Sequence, residues 1–181
     1  MLLVVSLVGA LAVAGMAFGA KPPPKPKKPG HPASAHAFSW HDTPTGSTAS
    51  LRGISAVSDN VVWASGSAGT VLRTLDRGAT WQSVGPPGTS SLQFRDIEAF
   101  GPNKALILSI GTGTDSRIYR TTDGGQTWTL VFQNTDPNAF YDCMTFFNKK
   151  VGLALSDPPD GLKFRIIKTT DGGRTWSVVD P

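Results

Sequence analysis

An eight-residue motif occurs three times in this chain, and its spacing constrains the fold more than any other feature of the sequence. The pattern is Thr-x-Asp-x-Gly-x-Thr-Trp, and its copies begin at Thr74, Thr121 and Thr169. The three aspartates lie 47 and 48 residues apart, and a constant period in this range indicates supersecondary units that stack on one another. Each copy has the residues of a hairpin turn, in which Asp accepts backbone N–H groups and Gly supplies a positive φ. The motif therefore predicts a repeat architecture.

Three apolar segments with the pattern of short strands precede each copy of the motif. The first segment of each unit alternates apolar and polar residues, and these segments are 51–57, 94–100 and 140–146. A turn, a second apolar strand and a third strand ending in the motif follow, and the motif's Trp opens a fourth strand. Four short antiparallel strands per unit describe a propeller blade. We therefore predict an all-β partial β-propeller of about three four-stranded antiparallel blades, at about 51–86, 94–133 and 140–181.

The repeat extends toward the N-terminus through one more tryptophan. Trp40 lies 41 residues before Trp81 and, like the motif tryptophans, precedes a short run, a turn and a first strand. We interpret 38–43 as an orphan fourth strand, because propellers commonly give their N-terminal strand to the last blade and so remove exposed edges. Three blades fall short of the four to eight that close a ring. A C-terminally truncated sequence is one explanation, and self-association of the open edges is the second.

Two segments precede the repeats. Residues 1–20 form an uncharged apolar run with small residues before a possible cut after Gly19, which favours a secretory signal peptide. The run is also long enough to be an uncleaved membrane anchor, the one membrane contact that we expect. Residues 21–37 form a Pro- and Lys-rich linker, either a solvated extended tether or a segment held near anionic lipid or cell-wall polymer. We therefore expect an exported protein, which is periplasmic, displayed on the cell surface or secreted.

Charge and composition exclude several classes of function. The net charge of +4 arises from four lysines between residues 21 and 30, and the rest of the chain is neutral. This distribution argues against a nucleic-acid partner. The three histidines have no metal-ligand spacing, and no dinucleotide fingerprint is present, so we expect neither metal nor cofactor. Cys143, the single cysteine, lies in an apolar run, where we expect a buried structural thiol.

The repeated motif is identified as the Asp-box, or BNR repeat, of the sialidase-like propellers. The form with paired glycines at 120–125 also resembles the photosystem II stability/assembly factor propellers. The run 94–120, with 140–143 and 154–158, is similar to uncharacterised secreted bacterial propellers. Sortilin-type receptors and xyloglucanases carry similar repeats. In these families the Asp-box is a structural hairpin at the blade periphery. The resemblance thus implies structural roles for the Asp, Gly and Trp residues Asp76, Gly78, Trp81, Asp123, Gly125, Trp128, Asp171, Gly173 and Trp176.

A sialidase-type active site is not recognisable in this chain, so we assign no catalytic residues. Such a site needs three arginines, a Tyr nucleophile with a Glu partner, and an Asp acid/base. The family's N-terminal arginine motif has a near-match only at 164–167, inside a predicted third strand. A nucleophile pair of Tyr141 and Glu98 would require both innermost strands to bring these side chains together.

The residues expected on the pore side of the blades are the remaining candidates for a binding site. They are Arg52, Arg95, Asp96, Tyr141 and Asp142 on innermost strands, and Asp157 and Asp160 in a Pro-Gly loop. The alternative is that these aspartates only cap turns and shape the loop. We expect a non-enzymatic binding or assembly scaffold with a protein or glycan partner. The alternative function is a glycoside hydrolase whose catalytic residues lie partly in missing blades.

Overall fold

Each predicted repeat forms one four-stranded antiparallel sheet. The computed structural model describes residues 41–179, and within them three sheets follow one another along the chain. The first blade contains β1 (Leu51–Ala56), β2 (Val62–Gly66), β3 (Val71–Thr74) and β4 (Gln82–Ser83). The second contains β5 (Gln93–Ala99), β6 (Ala105–Ile110), β7 (Arg117–Thr121) and β8 (Thr129–Gln133). The third contains β9 (Tyr141–Phe146), β10 (Gly152–Ser156), β11 (Arg165–Thr169) and β12 (Ser177–Val178). The predicted all-β architecture is confirmed.

The predictions for the N-terminal segments fall outside the described residues. These are the signal peptide or anchor at 1–20, the linker at 21–37 and the motif-like Trp40. Of the orphan strand predicted at 38–43, residues 41–43 are described, and they belong to none of the three sheets. Across residues 41–179, no helix has the length and apolar character needed to cross a membrane.

The core consists of two apolar layers, one between each pair of adjacent blades. Trp63, Phe94 and Ile107 belong to the layer between the first and second blades, and Leu106 and Leu108 belong to the layer between the second and third. Strand β6 therefore contributes alternate side chains to both layers, since neighbouring residues of a strand point to opposite faces. A strand buried on both faces needs a continuous apolar sequence, and this explains the run Ala105-Leu106-Ile107-Leu108.

The first and third blades expose apolar side chains within the described residues. Ile54 in β1 is 74% exposed, whereas Ile97, at the equivalent position of β5, is 2% exposed because the first blade covers it. In the third blade, Leu162 and Phe164 of the loop before β11 are 84% and 60% exposed. Burial of this strand position thus depends on the presence of a preceding blade.

The Asp-box holds the turn between the third and fourth strands of each blade. Asp123 Oδ1 accepts hydrogen bonds from Thr127 N–H (2.9 Å) and the Thr121 hydroxyl (2.8 Å), and Oδ2 accepts from the Thr127 hydroxyl (2.5 Å). The N–H of Gly125 donates to Thr121 Oγ1 at 3.0 Å. These hydrogen bonds lower the pKa of Asp123 to about 2, and the bond from the Thr127 side chain has the largest effect. The corresponding contacts recur around Asp76 and Asp171.

The Gly and Trp of the Asp-box contact the preceding blade. A side chain at Gly125, where φ is +86°, would collide with Val84, which directly follows β4. Trp128 Nε1 donates to the carbonyl oxygen of Val84 at 2.7 Å, and its ring packs edge-on against Trp63 of the first blade with centroids 6.4 Å apart. The motif therefore shapes its own hairpin and also joins that hairpin to the neighbouring sheet.

Candidate functional site

Each first strand carries a β-bulge at the equivalent place near its start. In β1, Leu51 pairs with Gly66 and Gly53 with Ser65, so that Arg52 has no partner in the ladder. In β5 and β9, Arg95 and Asp142 likewise have no partner on the neighbouring strand. A bulge leaves its extra residue unpaired and can redirect a side chain. The three bulged residues thus occupy one structural position in three blades.

The bulged residues line one open cavity of 490 Å³, which we call the inner-strand cavity. Strand β1 packs against β5, and β5 against β9, so the three first strands lie side by side. The cavity is lined by Arg52, Arg95, Asp96, Asp142 and Cys143. Four of the seven predicted binding residues therefore lie together. Neither arginine forms an ion pair with an acidic residue in the part of the chain that the structure describes.

Asp96 ties the second blade to the third. Its Oδ2 accepts a hydrogen bond from the backbone N–H of Met144 in β9 at 2.6 Å, and Oδ1 accepts from its neighbour Ile97 at 2.8 Å. Burial raises the pKa of Asp96 above its ordinary value, although these two N–H groups oppose the shift. The carboxylate of Asp142 adds to the rise. The cavity therefore contains one engaged aspartate and one aspartate whose side chain is open to a ligand.

Tyr141 does not line the cavity. Its side chain is fully buried between the second and third blades, where its ring packs edge-on against Phe132 at 5.3 Å. The register explains the difference, because Tyr141 of β9 occupies the position of Phe94 in β5, one residue later than the repeat alignment indicated. Burial raises the pKa of its hydroxyl, while nearby Arg165 opposes the rise. The expectation that Tyr141 lies on the pore-side surface is therefore wrong.

The possible pair of Tyr141 and Glu98 does not form. The charged neighbours of the tyrosine hydroxyl are Arg165 and Asp136. The pKa of Glu98 is raised mainly by burial and also by the charge of its neighbour Asp96. The hydroxyl of Tyr141 has no hydrogen-bond partner in the described residues, and the two side chains have different charged neighbours.

The two loop aspartates lie away from the inner-strand cavity. Asp160 Oδ1 accepts from the N–H groups of Leu162 and Lys163, both at 2.9 Å, and these bonds lower its pKa. It lines a second cavity of 440 Å³. Asp157 lines neither cavity, and only its backbone groups form hydrogen bonds in the structure, with Phe140 and Ser156. The loop thus has the turn-shaping contacts that were the alternative to ligand binding.

Arg165, from the near-match to the sialidase arginine motif, forms a salt bridge beside this second cavity. Its Nη1 lies 2.7 Å from Asp136 Oδ2, and both side chains are partly buried. The guanidinium therefore already has a carboxylate partner within the chain.

Cys143 was missed as a cavity residue. The structure leaves it exposed, so the predicted buried thiol is wrong. The bulge at Asp142 interrupts the alternation of β9, and Met144 rather than Cys143 turns into the core. Although the residue is exposed, partial burial of its sulfur, followed by the charge of Asp142, raises the pKa of the thiol. Among the residues that the structure describes, no group of three His, Cys, Asp or Glu side chains is arranged to hold a metal.

A family model for the BNR/Asp-box repeat matches residues 119–130, which include the second copy of the turn. This copy of the turn is thus similar to a known Asp-box. The match covers the end of β7, the turn and the start of β8. The expected resemblance to Asp-box propellers is therefore confirmed for the repeat and, through the three sheets, for the fold.

One enzyme is similar to part of this chain in sequence, and several solved structures are similar to it in fold. The xyloglucanase Xgh74A of Acetivibrio thermocellus is 34% identical over 83 residues, which cover 41% of this chain and 10% of the enzyme. The structure of YCF48 from Cyanidioschyzon merolae has a TM-score of 0.61 at 20% identity, covering 78% of this chain and 43% of YCF48. YCF48 bound to a D1 peptide gives a TM-score of 0.59 at 20% identity, with 74% and 41% covered. The chain thus spans less than half the length of these proteins.

Proposed function

We propose that this chain is an exported, non-enzymatic scaffold that binds an acidic protein segment in the inner-strand cavity. The observation that carries the proposal is the convergence of Arg52, Arg95 and Asp142 from three bulges. Guanidinium groups bind carboxylates through paired hydrogen bonds, and both arginines are exposed. A protein segment with two acidic side chains and one nearby cation matches this pattern of charges.

Two further points support a binding role. One similar propeller, YCF48, has been solved with a bound D1 peptide, so a fold of this type can present a peptide site. One acid of the cavity, Asp96, already accepts backbone hydrogen bonds on both oxygens, an arrangement that indicates a structural role. Export rests on the apolar run at 1–20.

Selection from a displayed library of random peptides tests the proposal. Wild-type protein should enrich peptides with clustered Asp and Glu, and the variant Arg52→Gln/Arg95→Gln should lose that enrichment. A matched control is Arg77→Gln/Lys163→Gln, which removes two exposed positive charges elsewhere and should select the same peptides as wild type. Equal enrichment by the cavity variant would overturn the proposal.

A glycoside hydrolase is the second candidate, because Asp96 and Asp142 line the same cavity and the pKa of Asp96 is raised. Paired carboxylates with one raised pKa are typical of glycosidases, and Xgh74A is a xyloglucanase by name. Release of reducing ends from xyloglucan by the wild type, with loss in Asp142→Asn, would favour this function. No release by either protein is the result that the scaffold predicts.

A further inference from the structure

A cluster of positive charges lies between the second and third blades, at the opposite end of the strands from the inner-strand cavity. It surrounds a cleft of 460 Å³, which we call the cationic cleft. The residues lining it are Lys104, Lys149, Lys150, Thr170, Asp171 and Arg174. Arg120 lies beside it and donates from Nε to the carbonyl oxygen of Gly172 at 3.1 Å. Five cationic side chains thus meet around one carboxylate.

The topology places this cleft and the inner-strand cavity at opposite ends of the blades. In an antiparallel sheet, the turn after the first strand and the turn after the third strand lie at the same end. Lys149 and Lys150 belong to the first kind of turn and Arg174 to the second. The bulges of the inner-strand cavity lie near the starts of the first strands, at the other end. The cleft is therefore separate from the proposed peptide site.

The one carboxylate of the cleft is engaged by its own turn. Asp171 Oδ1 accepts from the N–H groups of Arg174 and Thr175 at 2.9 and 3.0 Å, and Oδ2 accepts from the Thr175 hydroxyl at 2.8 Å. In the described part of the chain, none of the five cations forms a salt bridge with an acid. Burial lowers the pKa of Lys104, and the positive charges of Arg120, Arg174 and Lys149 lower it further. The cluster is thus only partly neutralised.

The equivalent cleft between the first and second blades shows that the fold does not need these cations. By strand register, Arg73 corresponds to Arg120. The positions of Lys104, Lys149, Lys150 and Arg174 are occupied there by the uncharged residues Val61, Pro102, Asn103 and Gln126. Arg73 donates to the carbonyl oxygen of Pro102 at 2.9 Å and to Gln82 Oε1 at 2.8 Å. The first interface therefore has one cation at the positions where the second has five.

We propose that the cationic cleft binds a multiply charged oxyanion, namely the phosphate or sulfate group of a small molecule. Its volume lies within the range of small-ligand sites. Lysine ammonium groups bind such groups as point charges and arginine adds directed N–H donors. The side chains of Lys149, Lys150 and Arg174 are exposed, so they can close around an anion that enters from solvent. Thr170 supplies a hydroxyl at the same wall.

Titration calorimetry of the full chain with inorganic phosphate and, separately, with sulfate, at a pH where both anions are divalent, tests this site. Wild type should bind one of them saturably, and the tighter anion identifies the phosphate or the sulfate class. The variant Lys149→Gln/Lys150→Gln should bind at least about tenfold more weakly, because the two side chains supply two of the positive charges around the anion. These lysines donate no side-chain hydrogen bond within residues 41–179, so the fold should survive.

The control Arg77→Gln/Lys163→Gln carries the same change in net charge and should keep wild-type affinity. Both of its residues lie outside the cleft. Absence of saturable binding in the wild type would overturn the proposal, and so would equal weakening in the two variants, since that pattern reflects net charge alone. Circular dichroism of each variant separates unfolding from loss of the site.

Discussion

The carboxylate of Asp96 accepts a 2.6 Å hydrogen bond from the backbone N–H of Met144, and this contact joins the first strands of two blades. Met144 is 7% exposed, so water cannot readily replace the carboxylate. The residue that lines the candidate site thus also holds the site's walls together, and binding and stability are coupled at this position.

Truncation of Asp96 should therefore destabilise the protein more than truncation of its cavity neighbour. Asp96→Ala leaves a buried N–H group without a partner, and we expect a loss of about 1–3 kcal/mol in the free energy of unfolding. Asp142→Ala serves as the matched control, because its side chain accepts no backbone N–H in the described residues; we expect a change within about 0.5 kcal/mol. Urea denaturation measures both, and equal losses would contradict the role of Asp96 as a strut.

Acid should weaken the Asp-box turns through their aspartates. The pKa of Asp123 is about 2 in the folded protein, whereas an aspartate in an unfolded chain has a pKa near 3.9. The unfolded state therefore takes up a proton first, and the stabilising effect of Asp123 is complete above about pH 3.9 and is lost as the pH falls toward 2. The pKa values of Asp76 and Asp171 are lowered too, each mainly through Thr contacts in its own turn, so all three act in the same direction.

The melting temperature between pH 5 and pH 2 measures this effect. Asp123→Asn should lower the melting temperature at pH 5 and show a shallower fall toward pH 2 than wild type does. Because hydrogen bonds rather than distant charges lower the pKa, the difference should persist in about 0.5 M salt, where surface charges are screened. Identical slopes for variant and wild type would mean that protonation of Asp123 does not change the stability of the fold.

The blades were predictable from the sequence because the Asp-box marks the same turn in each unit. Its period fixed the number of sheets, and period-two alternation located β1, β5 and β9. The strand order within each sheet then follows from short connections, which favour antiparallel neighbours.

The bulges were not predictable, because alternation treats each strand as regular. One extra residue at Asp142 moves every side chain before it by one position relative to the ladder. Tyr141 therefore enters the core, and Cys143 faces the cavity. An alignment of the repeats that places Tyr141, rather than Phe140, at the position of Phe94 could have indicated the bulge. The cationic cleft was missed because its charges come from separate turns of two blades.

The second glycine of the Asp-box should be required for packing as well as for backbone conformation. Gly125 and Gly161 both have positive φ values, +86° and +72°, but only at Gly125 would a Cβ meet a neighbour, Val84 of the preceding blade. Both alanine variants incur backbone strain of about 1–2 kcal/mol. Gly125→Ala should lose about 1–3 kcal/mol more from overpacking. Thermal or urea unfolding gives the comparison, and equal losses would mean that the turn does not press on the first blade.

The thiol of Cys143 should react in the native protein, but slowly near neutral pH. The residue is exposed, so iodoacetamide should modify it without denaturant. Partial burial of the sulfur and the charge of Asp142 raise its pKa. Since the thiolate is the reactive form, the rate should reach half its maximum above the pH of about 8.5 that is usual for a free thiol. Asp142→Asn removes one negative charge and should move that midpoint to lower pH, whereas Asp157→Asn, outside the cavity, should leave it in place. A thiol that reacts only in denaturant would contradict the position of Cys143 on the cavity wall.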